Sequence, residues 1–385
     1  MRKLLGRSNK GVDWIIILCI GTLLAWGLSL LYSPDVGVDG LFEKQLISIA
    51  VAVLIAWALS FVDYRFMRNS MTIMVLYVSV IALLLSLFVI GSVFSGARSW
   101  LDFGSFALQP AEFAKVVLIL VLAKYFSKRH KEIANVRHII VTGVYALIMF
   151  GLVAIQPDFG SAVILFFIWF GMVLLAGLNW RHLFMLVGSG IVSIALLWSF
   201  VFADYQKQRI QTFLNPGLDP RGAGYNISQA TIAIGSGGIS GKGVGNGTQS
   251  RLSFLPQYQT DFVFAAFAEE WGFVGTIAML FVYGLLIGRI LWIGIRGDSN
   301  FEILYAGGVA IYFITHTVIH SGINLGILPV TGTTIPFMSY GGSHILAELM
   351  AVGILFGMNR YSRTIHRSAM NHEFSGMSQT KDILP

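Results

Sequence analysis

Apolar runs of about twenty residues recur along the whole chain, and short polar segments separate them. A helix of that length crosses the ~30 Å hydrocarbon core of a bilayer. A membrane β-barrel would instead show alternating segments of about ten residues. The pattern therefore predicts an all-α polytopic membrane protein of about ten transmembrane helices. The predicted spans are 12–32, 45–62, 71–92, 110–126, 138–156, 159–178, 182–203, 262–295, 303–326 and 343–361.

Composition supports a membrane protein. Hydrophobic residues make up 56% of the 385 residues and charged residues 12%, whereas soluble domains carry about 25% charged residues. The span 262–295 is longer than one crossing requires, so we expect it to tilt or to protrude.

Lysine and arginine cluster in every second connection, which sets the expected orientation, because such residues favour the cytoplasmic side. With both termini cytoplasmic, all of these connections lie on that side. The sequence pI of 9.5 therefore reflects topology, and charge scattered among short loops disfavours a nucleic-acid partner. The residues are Arg2, Lys3, Arg7, Lys10, Arg65, Arg68, Lys128, Arg129, Lys131, Arg137, Arg181, Arg296, Arg360, Arg363 and Arg367.

Residues 204–261 form one large outer loop in this topology. The loop contains the apolar stretch YNISQATIAI and the aromatic stretch FLPQY, so we expect short interfacial or re-entrant elements. Residues 1–365 are predicted to form a single transmembrane domain, and residues 366–385 a polar, disordered cytoplasmic tail. Cys19 is the single cysteine and lies in the first span, so the chain has no disulfide framework.

The glycine-rich segment GSGGISGKGVGNG, residues 235–247, matches no phosphate-binding pattern. A P-loop aligned on Gly241 and Lys242 would need glycine at 236 and serine or threonine at 243, where Ser236 and Gly243 stand. Two interpretations remain, a flexible backbone and a close approach to a ligand, and we favour flexibility.

The stretch HTVIH places His316 and His320 one helical turn apart, a spacing that can bind a metal. The glutamate of the zinc-protease motif is replaced by Thr317. A packed or hydrogen-bonded pair of histidines is the favoured interpretation.

The stretch QPAEFAK, residues 109–115, carries charge into a predicted span. Pro110 suits the first helical turn, so Glu112 and Lys115 lie three residues apart on one face. A lysine near a helix N-terminus opposes the helix dipole, and ionisable groups within a membrane are candidates for function. We favour a functional pair over a purely structural ion pair.

Other charged residues are expected at the same outer mouth. Asp158 in IQPDFG and Asp261 in FLPQYQTDF each precede a span, where an aspartate can cap the helix. Arg98 and Trp100 in GARSWLDFG lie on the same rim, and Glu270, opposite Asp261 on its helix, is assigned to structure. Capping does not explain five ionisable groups at one depth: cations suit a diphosphate, and a carboxylate suits a general base or a cation ligand. The five are Arg98, Glu112, Lys115, Asp158 and Asp261.

These segments resemble the signature of the SEDS family, which includes RodA, FtsW and SpoVE. The resemblance rests on QPAEFAK, QPDFG, the run from ATIAIGSGG to AEEWGFVG, and LPVTGTTIPFMSYGGS, in the expected order over essentially the whole chain. The run GNGTQSRLSFLPQYQTDF is more similar to RodA than to FtsW.

The resemblance implies a peptidoglycan glycosyltransferase that polymerises lipid II on the outer face of the bacterial cytoplasmic membrane for cell elongation. A class B penicillin-binding protein in a cell-elongation complex is the implied partner. Asp261 matches the essential acidic residue of the family. The positions matching its outer cavity are Arg98, Trp100, Gln109, Glu112, Lys115 and Asp158.

The implied reaction agrees with these residue types. Asp261 can act as base for the acceptor 4-hydroxyl, and Lys115 and Arg98 can stabilise the undecaprenyl diphosphate leaving group. An α-linked donor and a β-1,4 product imply inversion. A divalent ion, Mg²⁺ or Mn²⁺, would suit the diphosphate, but the sequence identifies no ligands for it. A lipid II flippase, a non-catalytic scaffold of a cell-wall synthase, and a division or sporulation role remain alternatives.

Overall fold

The computed structural model describes residues 12–32, 40–94, 97–104, 106–128, 136–200, 204–220 and 222–379, with side chains omitted at some positions, including all those after Tyr361. Several basic residues used for the topology prediction lie outside this description. They are Arg2, Lys3, Arg7, Lys10, Arg129 and Lys131, together with the side chains of Arg65, Arg68, Arg363 and Arg367.

Thirteen α-helices account for most of the described residues. Each of the ten predicted spans coincides with one helix, because long apolar runs specify membrane helices directly. The three remaining helices, α8, α9 and α10, match no predicted span. The helices are α1 (Trp14–Leu31), α2 (Leu41–Leu59), α3 (Ser70–Ile90), α4 (Pro110–Ser127), α5 (Val136–Ile155), α6 (Phe159–Leu175), α7 (Trp180–Phe200), α8 (Asp204–Leu214), α9 (Ala223–Gly237), α10 (Thr248–Arg251), α11 (Val263–Ile295), α12 (Asn300–Asn324) and α13 (Gly342–Gln379).

Seven helices in the described part are long and apolar enough to cross a membrane: α1, α2, α3, α5, α11, α12 and α13 up to Tyr361. Helix α6 is not among the seven because it is shorter, with 17 residues, and α4 is less apolar because it carries Glu112, Lys115 and Lys124. The chain is therefore an all-α multi-pass membrane protein. Helix α13 continues into the segment 366–385, and the disordered tail expected there remains a prediction.

The extra length of α11 is explained by a kink. Gly272 has φ 67° and ψ −166°, values outside the helical region, and divides the helix into a buried first segment and a longer second one. At the kink the glycine-rich segment hydrogen-bonds to the α11 backbone: Phe273 N donates to Gly238 O, and Lys242 N to Glu269 O. A Cβ at Gly241 would clash with Glu270 O. The glycines therefore permit close approach to a neighbouring helix, whereas the sequence favoured flexibility.

The segment predicted as the large outer loop contains the short helices α8, α9 and α10, as the predicted short elements require. Helix α9 packs along α11 and α12, and its Ala230 and Ala233 are fully buried. A three-stranded antiparallel sheet between α3 and α4 was not predicted, because its strands are very short. Its strands, in spatial order, are β1 (Ser92–Phe94), β2 (Ala97–Asp102) and β3 (Ala107–Leu108).

Helix α4 lies at the centre of the bundle and packs against α3, α6, α12 and α13. The connection between α12 and α13 does not stay at the surface. Its residues 330–340, here called the re-entrant loop, fold into the bundle, where Ile335, Phe337 and Met338 are buried. Thr333 O lies 2.8 Å from His320 Nδ1, and Thr334 O lies 3.0 Å from His316 Nδ1, one turn earlier in α12. The loop thereby brings polar groups beside α4.

Candidate active site

Four helices, α4, α6, α11 and α13, begin at the same end of the bundle, which we call the mouth. Gln109, which precedes α4, donates from Nε2 to Asp158 Oδ2 before α6 (2.9 Å), and its backbone N donates to Ser343 Oγ on α13 (3.1 Å). The start of α11 joins them through the re-entrant loop, because Ser339 Oγ donates to Thr260 O (2.9 Å). Helix N-termini carry partial positive charge, so their convergence favours an anion.

Beneath the mouth lies the predicted ion pair of α4. Lys115 Nζ is 2.7 Å from Glu112 Oε1, as expected for residues three apart on one helical face. The side chains are 1% and 5% exposed, respectively. Direct contact between Lys115 and a substrate would therefore require the mouth to open.

Two histidines and a second glutamate complete a buried cluster around this pair. His316 Nε2 of α12 lies 3.3 Å from Lys115 Nζ, and His344 Nδ1 of α13 lies 3.0 Å from Glu112 Oε2. Glu348 Oε1, one turn beyond His344, lies 2.9 Å from His344 Nε2. Three helices thus contribute charged or titratable side chains to one contiguous group.

Asp261 lies at the mouth, partly exposed, next to the re-entrant loop. A Cβ at Gly332 of that loop would be 3.6 Å from Asp261 Oδ2. The N-cap residue of α11 is Phe262, which makes no side-chain cap hydrogen bond. The first amides of α11 are instead bound by α12, since Ala265 N donates to Asn324 Oδ1 (3.0 Å) and Phe264 N to His320 Nε2 (3.3 Å).

Asp158, in contrast, does act as a helix cap. Its Oδ1 accepts a hydrogen bond from Ser161 N at 3.1 Å while its Oδ2 accepts from Gln109. A Cβ at Gly160 would clash with Thr331 O, so the re-entrant loop passes between the start of α6 and Asp261. Gln109, Asp158 and Asp261 therefore surround the same mouth.

Arg98 and Trp100 lie on β2, at the edge of the mouth. Arg98 is exposed, and its Nη1 donates to Phe88 O at the end of α3 (3.3 Å) rather than to a group of the cluster. Trp100 is partly buried and lies opposite Ser92 of β1. The five predicted ionisable groups therefore occupy three levels: a buried pair, two aspartates at the mouth and an exposed arginine.

Sequence reasoning missed His344 and Glu348 and underestimated His316. His316 contacts Lys115 and His344, whereas His320, its neighbour in the motif, hydrogen-bonds to Thr333 O and Phe264 N. The missed signal was the presence of a histidine and a glutamate, four residues apart, in an apolar span.

Comparisons with known proteins agree with this architecture. The chain is 35% identical over 366 residues to the peptidoglycan glycosyltransferase MrdB of Escherichia coli K12, covering 93% of this chain and 96% of that protein. It also superimposes on a chain of a structure described as "Structural coordination of polymerization and crosslinking by a peptidoglycan synthase complex". That match has a TM-score of 0.79, 31% identity, and covers 91% of this chain and 98% of the other.

The rod shape determining protein RodA of Thermus thermophilus is a further structural neighbour. Its crystal structure matches with a TM-score of 0.67 and 29% identity, covering 91% of this chain and 97% of RodA. The family model described as "Cell cycle protein", which is named for FtsW, RodA and SpoVE, matches residues 12–364. The chain therefore belongs to the FtsW/RodA/SpoVE family, the SEDS family.

Proposed function

We propose that this chain is a peptidoglycan glycosyltransferase that polymerises lipid II, with Asp261 as the general base for the acceptor hydroxyl. The observation that carries the proposal is the position of Asp261. It is a partly exposed carboxylate at a mouth surrounded by helix N-termini, and it directly precedes Phe262, the N-cap residue of α11. A partly exposed carboxylate at such a mouth can take the proton of a sugar 4-hydroxyl.

The surroundings of Asp261 support transfer from a diphosphate donor. Negative charge grows on the leaving diphosphate during the displacement, and preorganised dipoles and cations stabilise it best. The N-termini of α4, α6 and α13 meet at the mouth, and Lys115 lies beneath them. We assign the diphosphate to this side of the mouth, with Gln109 and Asp158 shaping its entrance and Arg98 and Trp100 at its rim.

Asp261→Asn tests the assignment. The purified variant should lose glycan polymerisation from lipid II by about 10²-fold or more, because the amide cannot accept the proton. The matched control is Asp219→Asn in the same outer segment, where the side chain binds Gly222 N at 3.0 Å. An asparagine keeps that acceptor, so the control should polymerise normally. Equal activity of both variants would refute the base assignment. Transport of lipid II by a wild-type protein that makes no polymer would favour the flippase.

We further propose that both termini face the cytoplasm and that the mouth faces outward. In a Cys19→Ala background, a cysteine at the exposed Asn246 should react with an impermeant thiol reagent from outside. A cysteine at Ser127 should react only after the membrane is opened. The opposite pattern would place the mouth in the cytoplasm, where no extracytoplasmic polymerisation could occur.

A class B penicillin-binding protein is the proposed partner, and cell elongation the proposed role. The likeness to RodA and to one chain of a peptidoglycan synthase complex supports both. Depletion of the protein should produce round cells if it acts in elongation. Filaments or a sporulation defect would assign it to division or to sporulation.

A further inference from the structure

The cluster beneath the mouth has the composition of a metal site. Glu112 of α4, His316 of α12 and His344 of α13 each offer one donor atom, and the three atoms lie within 4.8 Å of one another. All three side chains are at least 95% buried. Two imidazole nitrogens and one carboxylate oxygen form a donor set that suits Zn²⁺ and related transition ions, whereas Mg²⁺ prefers oxygen ligands.

The hydrogen bonds of His316 orient it as a ligand. Its Nδ1 lies 3.0 Å from Thr334 O, which can only accept, so the ring proton is on Nδ1 and Nε2 carries the lone pair. The ammonium of Lys115, which can only donate, lies 3.3 Å from Nε2 and requires the same tautomer. The available nitrogen of His316 therefore faces the cluster.

Polar groups also surround both ring nitrogens of His344. Its Nε2 lies 2.9 Å from both Glu348 Oε1 and Thr334 Oγ1, and its Nδ1 lies 3.0 Å from Glu112 Oε2. Metal-bound histidines usually donate their second N–H to a backbone carbonyl or a carboxylate, which fixes the ring. Thr334 O does this for His316. The Nε2 of His344 shares a hydrogen bond with Thr334 Oγ1, and the carboxylate of Glu348 lies at the same distance from it. The outer partners of a metal site are thus already in place.

The ammonium of Lys115 lies among the same donor atoms, 2.7 Å from Glu112 Oε1. A divalent ion bound to Glu112 would repel this ammonium at close range, and a buried site cannot hold both charges without large cost. Metal binding must therefore move Lys115 away from Glu112.

We propose that Glu112, His316 and His344 form a zinc site whose occupation competes with the Glu112–Lys115 ion pair. His320 is not a ligand, although it lies one turn from His316. Its Nδ1 lies 2.8 Å from Thr333 O, and its Nε2 accepts from Phe264 N at 3.3 Å, so both nitrogens are engaged. The site does not depend on the catalytic roles proposed above, and zinc content can be measured without any assay of polymerisation.

Metal content tests the site directly. The protein is purified with a tag that lacks histidine, treated with a chelator, dialysed against Zn²⁺ and analysed by mass spectrometry. Wild type and His320→Gln should retain about one zinc per chain, and a large excess of Mg²⁺ should not displace it. Glu112→Gln, His316→Gln and His344→Gln should retain about a tenth of that or less. No zinc in folded wild type, or undiminished zinc in folded His316→Gln, would overturn the proposal.

X-ray absorption of zinc-loaded wild type is independent of how the variants fold. The spectrum should show two histidine nitrogens at about 2.0–2.1 Å from the metal. A shell with one histidine or none would place the zinc elsewhere and refute the site.

Lys115→Met tests the competition. Removing the ammonium eliminates a competing cation, so zinc affinity should rise by about tenfold or more. Isothermal titration of Zn²⁺ into wild type and variant measures the change. Unchanged or weaker binding by the folded variant would show that Lys115 and the metal do not compete.

Discussion

Two glutamate–lysine ion pairs in this protein have the same nitrogen–oxygen distance but different surroundings. Lys115 Nζ lies 2.7 Å from Glu112, and Lys242 Nζ lies 2.7 Å from Glu269. Glu112 is bound by side chains alone, Lys115 and His344, with the Tyr312 hydroxyl at 3.5 Å. Those side chains belong to three helices that meet at the mouth.

Glu269 of α11 instead binds the segment that follows α9. Its carboxylate accepts from the backbone N of Gln249 and from Thr248 Oγ1, besides Lys242, and all three donors belong to the segment that follows α9. The Lys242 side chain is 28% exposed, whereas that of Lys115 is 1% exposed. A carboxylate held by backbone amides is fixed in place, while one held by a lysine and a histidine can exchange partners. We therefore assign Glu269 to structure and Glu112 to the site.

The largest expected effect separates the two lysines. Lys115→Ala should reduce lipid II polymerisation by about a hundredfold or more, on the order of 3 kcal/mol, because a cation near the leaving diphosphate is lost. Lys115→Arg should restore part of the activity, since its guanidinium is larger and planar. Polymer yield is measured at matched membrane levels.

The matched control for that measurement is Lys242→Ala. A partly exposed ion pair contributes about 1 kcal/mol or less to stability, so polymerisation by this variant should fall about fivefold at most. Similar losses in both variants would remove the distinction between the pairs.

The second effect concerns stability. Glu269→Ala leaves the partly buried Gln249 N without its acceptor, which costs about 1–3 kcal/mol if water does not replace it, and the exposed Thr248 hydroxyl can turn to water. The thermal unfolding midpoint of the purified protein in detergent should fall. Activity per folded molecule should stay near wild type at low temperature, and a loss of activity without a lower midpoint would contradict the structural role.

A smaller effect is expected for Glu112→Gln. The amide keeps an oxygen that can accept from Lys115, but the negative charge that holds the lysine is lost. Polymerisation should fall by roughly tenfold, about 1.4 kcal/mol, and less than in Lys115→Ala. If Glu112→Gln were the more damaging change, Glu112 would act on the reaction directly and not through the lysine.

The smallest effect is expected at the rim. Arg98 is exposed and binds Phe88 O, so Arg98→Ala should raise KM for lipid II by about threefold with little change in kcat, because exposed charges mainly assist encounter. The exposed Arg181, in the first turn of α7, provides the control, and Arg181→Ala should leave KM unchanged. A fall in kcat for Arg98→Ala would place Arg98 closer to the reacting diphosphate.

The sequence predicted the positions of the spans well, but it did not predict how deeply the side chains of the site are buried. Apolar runs specify membrane helices, and three-residue spacing specifies that Glu112 and Lys115 share a face, but neither reveals that both are buried. The re-entrant loop could not be predicted either, since TGTTIPFMSYGG reads as an ordinary connection. His344 and Glu348 lie in an apolar span, and only the three-dimensional packing of α13 against α4 brings them to Glu112. Asp261 was predicted as a site residue because its context in the chain is distinctive, and its role remains a prediction.

The position of α13 has a consequence for biogenesis. Helices emerge from the ribosome in chain order, so α4 and α12 are made before the re-entrant loop and α13, the last span. Until α13 inserts, Glu112 lacks His344, and His316 lacks its Thr334 partner. The nascent chain must therefore hold an incomplete polar cluster in the bilayer, where unpaired charges are costly. Only a chain that includes α13 can close this cluster, so premature termination before α13 should leave a product that membrane quality-control proteases recognise.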